Sequence, residues 1–511
     1  MKRQLPPHPD LDQLKTEAND LLKAYKAGAQ EAIRRIKEGH SRWSNATDSD
    51  IRAGKFGLSS AQAVVAREYG FASWPKLKEH VGSTAHASGD PVEQIKQAYR
   101  ADDAALVSQL LEVHPELKAM INEPVGPFDT QPIVNARSRH MVDVLLAAGA
   151  DINAKSRWWA GGFGILDGAS PELAAYAIVR GAVVDVHAAS RLGMLERLRD
   201  LISANPELVH ARGGDGQTPL HFASTVEVAG YLLDHGAQID ARDVDHESTP
   251  AQYMIDDRQE VVRYLISRGC KTDLLMAAAL GDADLAKKHL DADPVCIRVR
   301  VSAEFFPMVD NRAGGTIYQW TLGSYVSAHQ VARKFGHEDV LQLLFDRSPA
   351  HVALIAACWL GDEATVRSIR KAHPELPAGL PDAERSQVAH AARNNETAAV
   401  KLMLDAGLPV DARGQHGATP LHWAAFHGNL EMAEVILRFD PPLEANDADH
   451  NMTPLGWAIY GSENGWHRKT GNYASTVEAI LQAGAKPPEK VEGTEAVREV
   501  LRRHRLNERK T

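Results

Sequence analysis

The tetrapeptide Thr-Pro-Leu-His stands twice in this chain, at 218–221 and 419–422, with shorter echoes at Thr249-Pro250 and Thr453-Pro454-Leu455. It is a helix start written in side chains. The threonine can cap, and proline suits the first helical position, where an amide hydrogen would have no partner. The histidine can bond back towards the preceding turn and on to the next unit. Each copy is followed by a second apolar helical run ending in a glycine turn, as in Leu232-Leu233-Asp234-His235-Gly236-Ala237 and Ile480-Leu481-Gln482-Ala483-Gly484-Ala485. Recurrence of this kind calls for helix pairs that pack on their neighbours and not around one common core.

In these phrases the sequence resembles the ankyrin repeat, whose period is about 33 residues with T-P-L-H-x-A as its signature. The resemblance implies an all-α ankyrin-repeat α-solenoid with short β-hairpin fingers. It covers residues 91–486 in about twelve units, several of them degenerate. A longer period lies over the short one. Pro115, Pro206, Pro294 and Pro374 close similar helix pairs; Gly193, Gly281 and Gly361 precede the last three by one fixed interval, and Asp102 holds that place in the first. The block opening at each of these points lacks a finger, which reads as duplication of a multi-repeat unit.

Residues 1–82 read as a separate helical module. Leu11, Leu14, Ala18, Leu21, Leu22 and Tyr25 recur at helical spacing; further on, Gly70 stops one helix and Pro75 starts another. The wording A-R-E-Y-G-F-A-S-W-P is similar to a segment found ahead of ankyrin arrays in bacterial proteins. The expected role is a cap over the first face of the array, with DNA binding as the competing reading of a mildly basic helical unit. Residues 82–90 form a polar linker. At the other end Lys486-Pro487-Pro488 stops the last repeat, and residues 487–511 supply a capping helix with Val497, Val500 and Leu501 on one side.

Composition narrows the partners. A net charge of −10 argues against a dedicated binder of nucleic acid or anionic membrane. The first ten residues lack the apolar core of a signal peptide, and no run approaches the length of a membrane span. Three scattered cysteines, Cys270, Cys296 and Cys358, fit free thiols in a reducing compartment. The expectation is a cytoplasmic, bacterial protein, monomeric, with no nucleic-acid or membrane partner.

The resemblance places partner contacts at the fingertips and the first residues of the inner helices, which here include Gln415, His416, Phe426 and His427, with Gly214, Asp215 and Gln217 in an earlier repeat. Three fingers depart from the repeat towards glycine and aromatic residues. One carries Trp158 and Trp159. The longest, 301–320, carries Glu304, Asp310, Arg312, Tyr318 and Trp320. The third, 461–473, carries Trp466 and His467. Aromatic residues and arginine are favoured at recognition hot spots. The long finger is expected to fold back on finger 243–248, bringing Asp245, His246 and Glu247 near Glu304, Asp310, Arg312 and Trp320. Asp243, Asp245 and His246 have the chemistry of a metal set, but the wording recurs at Asp447-Ala448-Asp449-His450, and a repeated pattern is more simply a turn in which aspartates cap backbone amides. No metal and no cofactor is therefore expected. The sequence carries no H-E-x-x-H, phosphate-loop or G-x-S-x-G pattern. These observations favour a noncatalytic scaffold that binds a protein partner through its concave finger and inner-helix surface. The alternative is an enzyme or small-molecule binder with a site formed by fingers 243–248 and 301–320.

Overall fold

The computed structural model describes residues 11–508 apart from 40–42, 44, 45, 54, 55, 72, 73, 75, 76 and 78–89. The first ten residues, the helix start expected at Pro75 and residues 82–89 of the linker lie outside the described residues. The chain divides into two compact units, residues 1–158 with 163–183, and residues 159–162 with 184–511.

In the first unit, helices Leu11–Lys26, Gln30–Gly39, Asp48–Ala53 and Leu58–Glu68 enclose a core of their own. Leu14, Ala18 and Leu21 meet Ile33, Ile36, Val64 and Val65 there. Arg35 forks onto Glu68 at 2.8 and 2.7 Å to fix two of these helices. The helical spacing read from the sequence is thus real, and Leu14, Ala18 and Leu21 of its apolar positions face inward. Beyond Asp90, whose carboxylate caps Val92, come helix pairs Pro91–Ala101 with Ala104–Val113, Pro132–Asn135 with Arg139–Ala147, and Ile165–Gly168 with Pro171–Val179. The inner members of the last two pairs are only four residues long.

The second unit continues the pattern from Val186–Arg191 and Leu195–Ala204 to Pro454–Asn464 and Tyr473–Gln482, followed by helix Glu495–Glu508. Val497, Val500 and Leu501 on that last helix are buried. The repeat histidines act as expected. His422 Nδ1 accepts from the Thr419 amide at 3.1 Å, and its Nε2–H donates to the carbonyl of Met452 in the next unit at 3.0 Å. His221 does the same with Thr218 and Ser248. Each histidine thereby staples one repeat to the next.

The longer period has a backbone cause. Asp102, Gly193, Gly281 and Gly361 all take the left-handed conformation, with φ between 56° and 71°, and end the first helix of their pair. Pro115, Pro206 and Pro294 then open 3-10 turns after the second helix.

One expectation needs correcting. The fingers are not β-hairpins: among the described residues there is no strand, only an isolated antiparallel bridge between Arg300 and Ser327. One backbone bond still closes each of two fingers, Asp243 N–H to the Ser248 carbonyl at 3.1 Å and Asp447 N–H to that of Met452 at 3.0 Å, and side chains take the amides within the turns. Asp243 accepts from His246 and Ser248, both at 2.7 Å, and Asp447 accepts from Asp449, His450 and Met452. Carboxylate-capped turns stand where longer ladders would run.

Candidate functional site

The position three residues after the helix-starting proline carries an aromatic in four repeats: Phe222, Tyr253, Trp423 and Trp457. Where two consecutive repeats both put tryptophan there, the rings meet. Trp423 and Trp457 lie 5.0 Å apart, edge to face at 84°. Phe426, one helical turn beyond Trp423, reaches Trp457 at 5.8 Å.

The loop at 465–472 closes this aromatic floor on one side. It is clamped to the end of helix Pro420–His427 by Tyr473, whose hydroxyl donates to the Phe426 carbonyl at 2.9 Å, and by Asn472, whose amide donates to the Gly428 carbonyl at 2.8 Å. Contact this close explains two glycines. A Cβ on Gly461 would stand 2.6 Å from the Phe426 carbonyl oxygen, and one on Gly471 would stand 2.5 Å from that of His427. The clamp lays Trp466 against Trp423 at 6.0 Å and edge-on to Phe426 at 5.3 Å.

The result is a cavity of about 310 Å³ lined by these rings with His416, His450, Met452 and Tyr460. Trp457 is pinned by its indole N–H to Asp447 at 2.9 Å. The Trp423 indole N–H is buried without an acceptor. Tyr460 and Trp466, 53% and 57% exposed, form the rim. Arg393 lies 5.8 Å from the Trp423 ring and 5.4 Å from that of Trp466, a cation over two aromatic faces. Burial holds the Arg393 guanidinium below its usual range. His427 is buried, bonded through Nε2 to the Arg393 carbonyl, and burial pushes its imidazole down to about 4. The site is therefore apolar with a fixed cation at its edge.

A second group of candidates gathers at the fingers of the middle repeats, as the sequence reading expected. Glu247 accepts from the amides of Val309 and Asp310 at 2.8 Å each, the Gly314 amide donates to the Asp245 carbonyl at 2.8 Å, and Trp320 lies 4.8 Å from the His246 ring. Arg312 chelates Asp310 and sits 4.2 Å over the Trp159 ring. Arg312 holds the Asp310 carboxyl down at about 2. Glu304 is exposed and stands apart from these contacts. Trp320 is 62% exposed, so its ring is not packed into the core. Among the described residues the set with metal-ligand geometry is Asp215, Asp245 and His246.

Other candidates are placed differently. Tyr318 is a correction: it is fully buried, with its hydroxyl donated to Asp273 at 2.9 Å, and belongs to the core and not to a binding face. Gln415 accepts from Arg393 Nε at 2.6 Å, and so positions the cation. His416 bonds Asp449 at 2.6 Å at the mouth of the aromatic cavity, and the His467 ring packs 5.1 Å from His427 behind it. Trp158, in the first unit, stands edge-on to Phe128 at 5.0 Å. The sequence reading missed Trp423, Trp457, Tyr460 and Arg393. The aromatic at one fixed position after Pro420 and Pro454 was the available signal for the two tryptophans; nothing local marked Arg393, which arrives from the preceding repeat.

A family model described as ankyrin repeats in three copies matches residues 186–276, 328–443 and 388–490. The E3 ubiquitin-protein ligase KEG of Arabidopsis thaliana is 23% identical over 295 residues, 54% of this chain and 17% of that protein. The E3 ubiquitin-protein ligase XB3 of Oryza sativa subsp. japonica is 33% identical over 98 residues, 19% of this chain and 22% of that protein. The matches thus span about a fifth of either relative's length. A crystal structure of the human ASB11 ankyrin repeat domain covers 59% of this chain and 99% of its own, at 17% identity and a TM-score of 0.24. The repeated Thr-Pro-Leu-His staples, the left-handed helix stops and the matched family model agree: the chain belongs to the ankyrin-repeat family.

Proposed function

We propose that this protein is a noncatalytic binding scaffold, and that the aromatic cavity of its C-terminal repeats receives an apolar or aromatic side chain of a protein partner. The observation that carries this reading is the cavity itself: about 310 Å³, walled by Trp423, Trp457 and Trp466, at the fingertip and inner-helix position where the family's partners bind. Rigid aromatic rings lose little entropy on contact, and a central pocket that desolvates an anchor side chain is where binding energy concentrates. Arg393 at the edge favours a polar or acidic group beside that anchor. What the chain shares with the two ligases is, on this reading, partner recognition and not ligase chemistry.

The proposed setting is the reducing cytoplasm, with the chain acting as a monomer. Burial pushes the thiols of Cys270 and Cys358 up to about 12 and that of Cys296 to about 11, so all three stay protonated at neutral pH. No described helix is long and apolar enough to cross a membrane. The second reading, a small-molecule site at fingers 243–248 and 301–320, is favoured by the convergence of His246, Asp245 and Trp320 there.

Panning a displayed random-peptide library on the full chain separates the two readings. The scaffold reading expects selected peptides to share an aromatic or long aliphatic anchor and to lose at least tenfold in affinity against Trp466→Ala. Peptides that bind Trp466→Ala as tightly as the parent would overturn it.

A further inference from the structure

Finger 243–248 presents one imidazole and two carboxylates to a single point. The ligand atoms of Asp215, Asp245 and His246 all lie within 4.8 Å of one another. His246 Nε2 is 3.6 Å from Asp245 Oδ2 and 3.7 Å from Asp215 Oδ2. Those separations are too long for N–H···O hydrogen bonds. They are close to the edge of a coordination polyhedron in which each ligand stands about 2.0–2.2 Å from a divalent ion.

The histidine's orientation is an independent observation. Its Nδ1 donates to the carbonyl of Gly315 at 2.8 Å, on the long finger and outside the ligand set. In the neutral ring that bond leaves the lone pair on Nε2, aimed at the two carboxylates, in a side chain only 10% exposed. A lone pair facing two buried carboxylate oxygens is repulsive, and a metal ion between them removes that repulsion as a proton on Nε2 would. A carbonyl that fixes the tautomer of a histidine is the usual outer support of a metal ligand. Asp245 is set in the same way: its Oδ1 accepts from the Gly314 amide at 3.2 Å, which leaves Oδ2 for the common point. Asp215 is tied to the same finger through its carbonyl, which accepts from Val244 at 2.8 Å and Asp245 at 3.2 Å. Gly314 gives the room. A Cβ there would press on His246 at 3.3 Å and on Asp245 Oδ2 at 3.4 Å.

The chain contains its own comparison. The corresponding finger positions near the C-terminus hold His416, Asp449 and His450. There no long finger folds over, His450 is exposed, and Asp449 is spent on a 2.6 Å bond with His416. Ligand-type residues alone do not make the arrangement; the cover from residues 309–315 does.

We propose that Asp215, Asp245 and His246 bind one divalent transition-metal ion of the zinc type. Two carboxylates and a neutral imidazole balance a charge of +2, and a mixed nitrogen–oxygen set suits zinc, cobalt or manganese better than calcium. The ion ties the long finger 301–320 to finger 243–248 and leaves coordination positions for water or for a donor from a bound partner.

The test uses the full chain after chelator treatment. Equilibrium dialysis counts bound Zn²⁺ at neutral pH, and Co²⁺ in its place reports the ligand field by visible absorption. Other histidines can hold ions weakly, so the readout is a difference: Asp245→Asn and His246→Gln each bind one ion fewer than the parent and lose the Co²⁺ band. Equal stoichiometry in parent and variants overturns the proposal, as does failure of the parent to bind. Should a variant lose its far-ultraviolet circular dichroism, the unaltered chain still decides. Zn²⁺ slows hydrogen exchange at the amides of residues 309–315 by at least tenfold if the ion locks the finger, and unchanged exchange there contradicts it.

Discussion

Acid should unfold this array through its histidines well before its carboxylates titrate. His221, His329, His422 and His427 are buried, and burial pushes the first two down to about 3 and the other two to about 4. In the unfolded chain each titrates near 6.5. A depressed value in the folded state means that the stability from the neutral ring is present above 6.5 and is lost as pH falls from there towards 4. At pH 5.5 the unfolded state already holds most of these protons while the folded state holds almost none. The loss is about 1.4 kcal/mol per histidine, or about 6 kcal/mol for the four. That is comparable with the whole stability of a typical domain, about 5–15 kcal/mol. His390, half-buried under the Tyr325 ring at 3.7 Å, adds in the same direction. Asp243 and Asp273 oppose it, because burial raises their carboxyls and the fold gains as they protonate. Urea unfolding followed by circular dichroism at pH 7.5, 6.5 and 5.5 measures the balance. The midpoint should fall steeply over the last unit. Equal midpoints at 7.5 and 5.5 would refute the neutral-staple account of these residues.

Five further outcomes are expected. Tyr318→Phe leaves the buried Asp273 without its hydroxyl donor and should cost about 1–3 kcal/mol in chemical denaturation, whereas Asp310→Ala with Arg312→Ala should leave the melting temperature unchanged; a neutral Tyr318→Phe would return that residue to the surface role first read for it. Gly471→Ala pushes a methyl against the His427 carbonyl and should cost about 1–3 kcal/mol as an overpacked contact, with a change in tryptophan fluorescence as Trp466 leaves Trp423; unaltered emission and stability would contradict the clamp. Residues 11–77 carry their own core, so the isolated fragment should unfold cooperatively, and a fragment without helical signal would show that it depends on the array. Hydrogen exchange should open the repeats of residues 124–183, whose inner helices are short, before those of 413–445, and uniform protection would contradict nearest-neighbour stability.

Much of this architecture was legible because the repeat writes local rules into side chains. Thr-Pro fixes a helix start and the histidine two residues further on fixes the next unit, so one phrase specifies a contact about thirty residues away. Helix stops were equally plain, down to Asp102 doing a glycine's work in the first block. The fingers were harder. Hairpin strands were expected where aspartates cap turns, since short turns of either kind use the same residues. The docking of finger 301–320 on 243–248 followed from its length and the missing finger beside it. Its side-chain roles did not: the phenol of Tyr318 and the indole of Trp320 differ in burial although they are two residues apart. The aromatic cavity escaped because its walls come from two successive repeats and an insertion, and its cation from a third repeat. No window of sequence contains them together.

The central claim is that the cavity between Trp423, Trp457 and Trp466 is the partner site. The direct measurement is a crystal structure of the full chain with a tightly bound selected peptide. The account predicts the peptide's anchor side chain within that cavity, in van der Waals contact with all three indoles, and a polar group of the peptide near Arg393. A peptide seated on the fingers at 243–248 and 301–320, with the cavity unoccupied, would contradict it.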